Sequence, residues 1–223
     1  MLNRTQAVVG LALGLLLPGS GAAAQAAGKV GVAGFETDGS VGLSRDDYDA
    51  LGRALSALLS SEVGGRGSAT TLLVVKPVSG GRAGRVDVGA ARAAATTAGA
   101  RVLVVGTLLD QYGDIHVEAR VLDASSGEPI AVVRGNPALV KREQLAEAIA
   151  DLADRIAQQP AVGGSKGNAT RGGVPVAALV LFGKGLRFED AGDAAKAADA
   201  YRNALRTAPG LSEAITALKR VGG

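Results

Sequence analysis

The chain holds few residues that could carry out a reaction. His116 is its only histidine and cysteine is absent, so a histidine-based nucleophile triad, a two-histidine metal site and a zinc thiolate centre are all excluded. His116 also falls among the polar positions of an alternating segment, which gives it a solvated surface role. The acids Asp46, Asp47 and Asp49 cluster, and calcium or magnesium takes such oxygen ligands, yet further oxygens would have to come from elsewhere. Asp47 instead stands three residues after Ser44, the spacing of a helix cap. Asp46 and Asp49 suit the positive end of the same helix. Glycine-rich stretches are wrongly placed for phosphate. Gly183-Lys184-Gly185 lacks the following Ser or Thr and lies within a helical pattern, and Gly163–Gly167 follows no strand. No catalytic, metal or cofactor-binding residue is assigned, and no cofactor is expected.

The segments that could position a site are clearer than any site. Lys29–Phe35 alternates like a strand and runs into a polar turn. After Ser44, the residues Tyr48, Leu51, Leu55, Leu58, Leu59 and Val63 recur every three or four positions and mark a helix with one apolar stripe. Thr70–Val75 is β-branched and apolar, a buried strand. Asp87–Thr97 is an alanine-rich helix ending at Gly99, and Arg101–Leu108 is the most hydrophobic strand, expected at the sheet centre. Strands at 115–122 and 129–133 follow, separated by Gly- and Asp-bearing turns. In the first, Ile115, Val117, Ala119 and Val121 face one way while His116, Glu118 and Arg120 face the other. Lys141–Ala157 is a helix with Leu145, Ile149, Leu152 and Ile156 on one side. The order β-α-β-α-β-β-β-α predicts an α/β fold, a mixed sheet in a two-layer or three-layer sandwich with helices.

Residues 1–26 stand apart. Arg4 precedes the apolar run Val8–Leu17, Pro18-Gly19 breaks it, and Ala22–Ala24 or Ala24–Ala26 offers a small-x-small cleavage site. The pattern is that of a secretory signal peptide, with a retained membrane anchor as the alternative. No later run approaches the length of a membrane-spanning helix. The expected location is periplasmic, and without cysteine there is nothing to acylate, so the chain is not read as a lipoprotein. The formal charge of +3 is spread among acids, which argues against nucleic acid as a partner.

Residues 158–174 are polar and Gly-rich with no apolar period, a flexible linker between an α/β domain at 27–157 and C-terminal helices at 175–223. In those helices, a 34-residue frame closing at Pro209 starts at Ala178. It puts Leu181, Gly185, Phe188, Gly192, Ala197, Tyr201 and Ala204 where a tetratricopeptide repeat needs a large residue, a small one or a turn glycine. One such repeat plus a further helix is the expectation, an all-α hairpin appended to the α/β domain. Lys184 departs from the frame, standing where Leu is usual. Leu179, Phe182 and Leu186 occupy the side that lines the groove in longer arrays. Solitary repeats are marginal, so that side needs cover from the α/β domain, a second copy or a partner. These three are the candidate protein-interaction residues.

The α/β portion resembles the CsgG/TolB-like periplasmic envelope family, which includes the curli secretion component, flagellar accessory lipoproteins and activators of penicillin-binding proteins. The resemblance is carried by the opening KVGVAGF, by Asp49-Ala50-Leu51-Gly52, and above all by Ala91–Ile130. Within that stretch lie Ala100-Arg101-Val102-Leu103-Val104-Val105-Gly106 and Asp123-Ala124-Ser125-Ser126-Gly127. The motifs are structural and name no catalytic residue. Two departures limit what they imply: the channel-forming and activating members are lipoproteins, and the loops here are too short for barrel-building hairpins. What the resemblance implies is a non-enzymatic envelope scaffold or accessory factor with other envelope proteins, or itself, as partners. Peripheral association with the outer membrane would run through a partner. A periplasmic receptor for a small ligand or the cell wall is the alternative.

Overall fold

The structure, a computed structural model, describes residues 28–39, 42–75, 85–167 and 172–222. The signal-peptide reading over 1–26, part of the 79–85 loop and part of the linker lie outside the described residues.

The element order is the expected one. Five strands, β1 (Val30–Gly39), β2 (Thr70–Leu72), β3 (Val102–Gln111), β4 (Asp114–Asp123) and β5 (Pro129–Lys141), form one open mixed sheet in the order β2-β1-β3-β4-β5. β2, β1 and β3 are parallel, while β3, β4 and β5 form an antiparallel meander. β3 lies at the centre, as its unbroken apolar run requires, since a strand covered on both faces has no polar side. Val102 and Val104 point into a layer built by α1 (Arg45–Gly65) and α3 (Leu145–Ala157). Leu103 and Val105 point the other way, towards Ala91 and Ala95 of α2 (Val88–Thr97). Helices on both faces make three layers.

Local chemistry sets the helix starts. The Ser44 hydroxyl accepts from the Asp47 amide (3.2 Å) and donates to the Asp47 carboxylate (2.7 Å), and Asp87 caps α2 by accepting from the Ala90 amide (3.0 Å). Two of the motifs on which the resemblance rests have structural jobs. Asp123 accepts from the amides and hydroxyls of Ser125 and Ser126, led by the Ser125 hydroxyl at 2.6 Å, which holds its carboxyl down at about 2. At Gly106, an added Cβ would fall 2.4 Å from the Phe35 ring, so the strand stays bare there to seat the aromatic.

Three expectations need correction. Thr70–Val75 is not a buried strand: only Thr70–Leu72 pairs, as a half-buried sheet edge, and Val74 is exposed. β-Branched composition cannot distinguish an edge from a centre. The last strand runs past 133 to Lys141, because Pro137, which cannot donate to a ladder, is accommodated on an edge strand. Residues 135–138 bulge where Glu118 pairs with Arg134 and His116 with Leu139, and the Asn136 amide donates to Asp151 of α3 (3.1 Å) instead. The final helix of this unit therefore starts at Leu145, after a single 3-10 turn at Arg142–Gln144.

Residues 158–167, read as linker, are fastened along their length. Val162 is buried, the Ser165 amide donates to the Arg66 carbonyl (3.0 Å), and the Gly167 amide donates to Asp154 (2.9 Å). Arg66 itself is buried, bonded to Glu62, Asp154 and the Ala150 carbonyl.

The C-terminal helices α4 (Val176–Asp190), α5 (Ala194–Thr207) and α6 (Ser212–Val221) share one hydrophobic core with the α/β unit, α4 lying on α1. The crossing is close because of Gly183: a Cβ there would come within 1.8 Å of the Ala50 carbonyl oxygen, a backbone atom that cannot rotate away. Gly183→Ala is expected to destabilise the chain by about 2 kcal/mol through forced separation of the helices. Gly210→Ala, with open space around it, should be near neutral. Urea denaturation of both variants checks this.

Candidate functional site

The structure places each residue of the 34-residue frame. Gly185 lies under the Tyr201 ring, where a Cβ would approach to 2.3 Å, and Ala197, Tyr201 and Ala204 are fully buried. Leu181 and Phe188 are half-buried against the same core, Gly192 adopts φ 80° in the α4–α5 turn, and Pro209 is exposed beyond α5. The Tyr201 hydroxyl donates to Glu189 (2.6 Å), which also accepts from Arg220 of α6 (2.6 and 2.8 Å), so one carboxylate joins all three helices. Arg220, Tyr201 and their hydrogen bonds hold the Glu189 carboxyl below its ordinary value despite burial, while burial and the Glu189 charge push the Tyr201 phenol up.

Leu179, Phe182 and Leu186 are buried beneath the chain's own α1. Of the three ways that face could be covered, the α/β unit supplies the cover. An ionic belt that sequence spacing could not reveal frames this seam. Lys184 reaches Asp47 (2.6 Å), Arg187 reaches Asp46 (2.7 Å), and Arg53 forms a two-pronged pair with Asp190 (2.9 Å each) while donating to the Leu73 carbonyl. Lys184, the departure from the repeat frame, is thus explained by what α4 docks on. Its hydrogen bond, with those from Ser44, lowers the Asp47 carboxyl. Asp46 and Asp47 serve the helix cap and the belt, and among the described residues no group of three His, Cys, Asp or Glu side chains could hold a metal ion.

A second polar centre lies at the same end of α1, where Tyr48 stands in the first turn. Asp110, at the end of β3, is buried and accepts from the Tyr48 hydroxyl (2.9 Å), the Gly113 amide (2.9 Å) and Arg142 Nε (3.1 Å). Nothing in the sequence spacing joins these residues.

His116 stands on the open face of β4, its Nε2 3.3 Å from Glu118 and its Nδ1 3.1 Å from the Ala138 carbonyl. Beside it runs the surface the sequence did not single out. Among the described residues β5 pairs only with β4 and forms the sheet edge, and Ile130 (42% exposed), Val132 (51%) and Leu139 (50%) stand open to solvent along it. The signal available was the apolar alternation of 129–133, which could have been sorted into an inward Val133 and outward Ile130 and Val132. Among the described residues, no helix is long and apolar enough to cross a membrane.

No protein-family model matches the chain, and no curated protein is similar to it. Solved structures to which it is similar include a PelC dodecamer from Paraburkholderia phytofirmans, at 14% identity and a TM-score of 0.39, covering 60% of this chain and 89% of that one. TolB from Acinetobacter baumannii is similar at 14% identity and a TM-score of 0.37, covering 60% of this chain and 28% of that one. The C-terminal domain of LpoB from Salmonella enterica is similar at 14% identity and a TM-score of 0.31, with 51% and 82% covered.

Proposed function

We propose that this chain is a non-enzymatic, exported protein of the bacterial envelope that works by holding other proteins. In this reading a CsgG/TolB-like α/β module presents the binding surface, and α4–α6, a tetratricopeptide repeat with one further helix, brace it from behind. The observation that carries the reading is the outer edge of β5. A 13-residue edge strand with exposed Ile130, Val132 and Leu139 offers both unpaired backbone groups and apolar side chains. Its first stretch, Pro129–Val133, carries no charge and precedes Arg134 and the bulge at 135–138, and an uncovered apolar edge of this kind can recruit a strand from another chain. The face of α4 under α1 is already filled, so the repeat acts through its own fold rather than by gripping a partner with Leu179, Phe182 and Leu186. Export rests on the signal-peptide pattern of residues 1–26.

A photo-crosslinking amino acid at Val132, used in intact cells, tests the surface. A discrete protein adduct is expected in the envelope fraction, lost when Ile130 and Leu139 are replaced by lysine. Absence of any adduct at this position, with the processed protein present in the periplasm, would overturn the reading.

A further inference from the structure

A cavity of about 400 Å³ opens at the seam where α4 meets the α/β unit. Phe35 of β1, Val75 and Val86 give it apolar walls. Three charged groups line it without a full set of partners in the fold. The buried Oδ1 of Asp49 has no hydrogen-bond partner among the described residues, although neighbouring Asp46 and Asp47 are both paired. Arg85 forms no ion pair among the described residues, and Arg187 spends its Nη1 on Asp46. The remaining charges on the wall, Arg53 and Asp190, satisfy each other.

A buried carboxylate oxygen without a donor is costly unless something supplies one. A ligand anion alone would leave Asp49 unsatisfied, and a cation alone would meet the guanidinium groups. A carboxylate matches the planar fork of arginine, an ammonium matches Asp49, and an apolar body matches the walls. We propose that this cavity binds a small zwitterion with an apolar body, of the amino-acid or short-peptide class, its ammonium on Asp49 and its carboxylate on Arg85 and Arg187. Because Arg187 belongs to α4 while Asp49 belongs to α1, the ligand would bridge the seam. This site is separate from the β5 edge, and the two stand or fall independently.

Calorimetric titration of the full chain with leucine and with the dipeptide alanyl-leucine tests the proposal, with 4-methylpentanoate and isoamylamine as the single-charge controls. Saturable binding of at least one zwitterion is expected, with either control at least about 10-fold weaker, since each removes one charge-assisted contact. Asp49→Asn should weaken the zwitterion by about 10-fold and leave 4-methylpentanoate unchanged. Circular dichroism and the melting temperature of that variant confirm that it is folded. Failure of both zwitterions to saturate, a control binding as tightly, or undiminished binding by the folded variant would each overturn it.

Discussion

Phe182→Asp is expected to dismantle the docking of α4–α6 on the α/β unit and to cost more than about 4 kcal/mol. Phe182 is 1% exposed, its ring centroid lies 5.8 Å from that of Tyr201, and it precedes the glycine at which α1 and α4 come closest. Truncating such a side chain to alanine alone costs about 3–5 kcal/mol. The aspartate adds an uncompensated charge in an apolar site, which must either be protonated or force the helices apart. For a chain of this size each kcal/mol moves the melting point by about 2–4 °C, so a loss of about 8 °C or more is expected. Limited proteolysis should cut within 168–174 faster than in the wild type. The opposite outcome is equally concrete. If the variant melts within about 2 °C of the wild type but loses a binding partner, the face is an interface and α1 does not cover it.

How much of this could be read in advance depended on the range of the interactions. The centre of the sheet was legible because Val102–Leu108 is apolar at every position but Gly106 and Thr107, and only a strand covered on both faces tolerates that. The start of α1 was legible because Ser44 and Asp47 act across three residues. The seam was legible as a need but not as a solution. The three apolar residues on α4 demanded cover, yet nothing local says that α1, some 130 positions earlier in the chain, provides it. Lys184 looked like a departure from the 34-residue frame because its partners, Asp46 and Asp47, were assigned to their own helix. The edges of the sheet were misjudged for a related reason: composition reports a liking for extended backbone, whereas position in a sheet is decided by the neighbours.

Asp110 should contribute to the acid limb of stability. Burial pushes its pKa upward, but hydrogen bonds from Arg142, the Gly113 amide and Tyr48, with the Arg142 charge, outweigh burial and leave it below its ordinary value. A carboxyl lowered in the folded state contributes stability in full above its unfolded value of about 3.9, and loses it as pH falls through the lower folded value. Asp110→Ala removes the one acceptor shared by α1, the β3–β4 turn and the 3-10 turn, leaving the Tyr48 hydroxyl and a partly buried guanidinium without it. Breaking a buried pair in this way costs about 3–5 kcal/mol, and the partial exposure of Arg142 places the expectation near the lower end, about 3 kcal/mol at neutral pH. The difference between wild type and variant, measured by urea denaturation, should stay constant from pH 7 to about 4.5 and shrink below it. A difference that is already small at pH 7, or that grows on acidification, would mean that Asp110 sits in the fold as a neutral hydrogen-bonding group and that Arg142 is not its counter-charge.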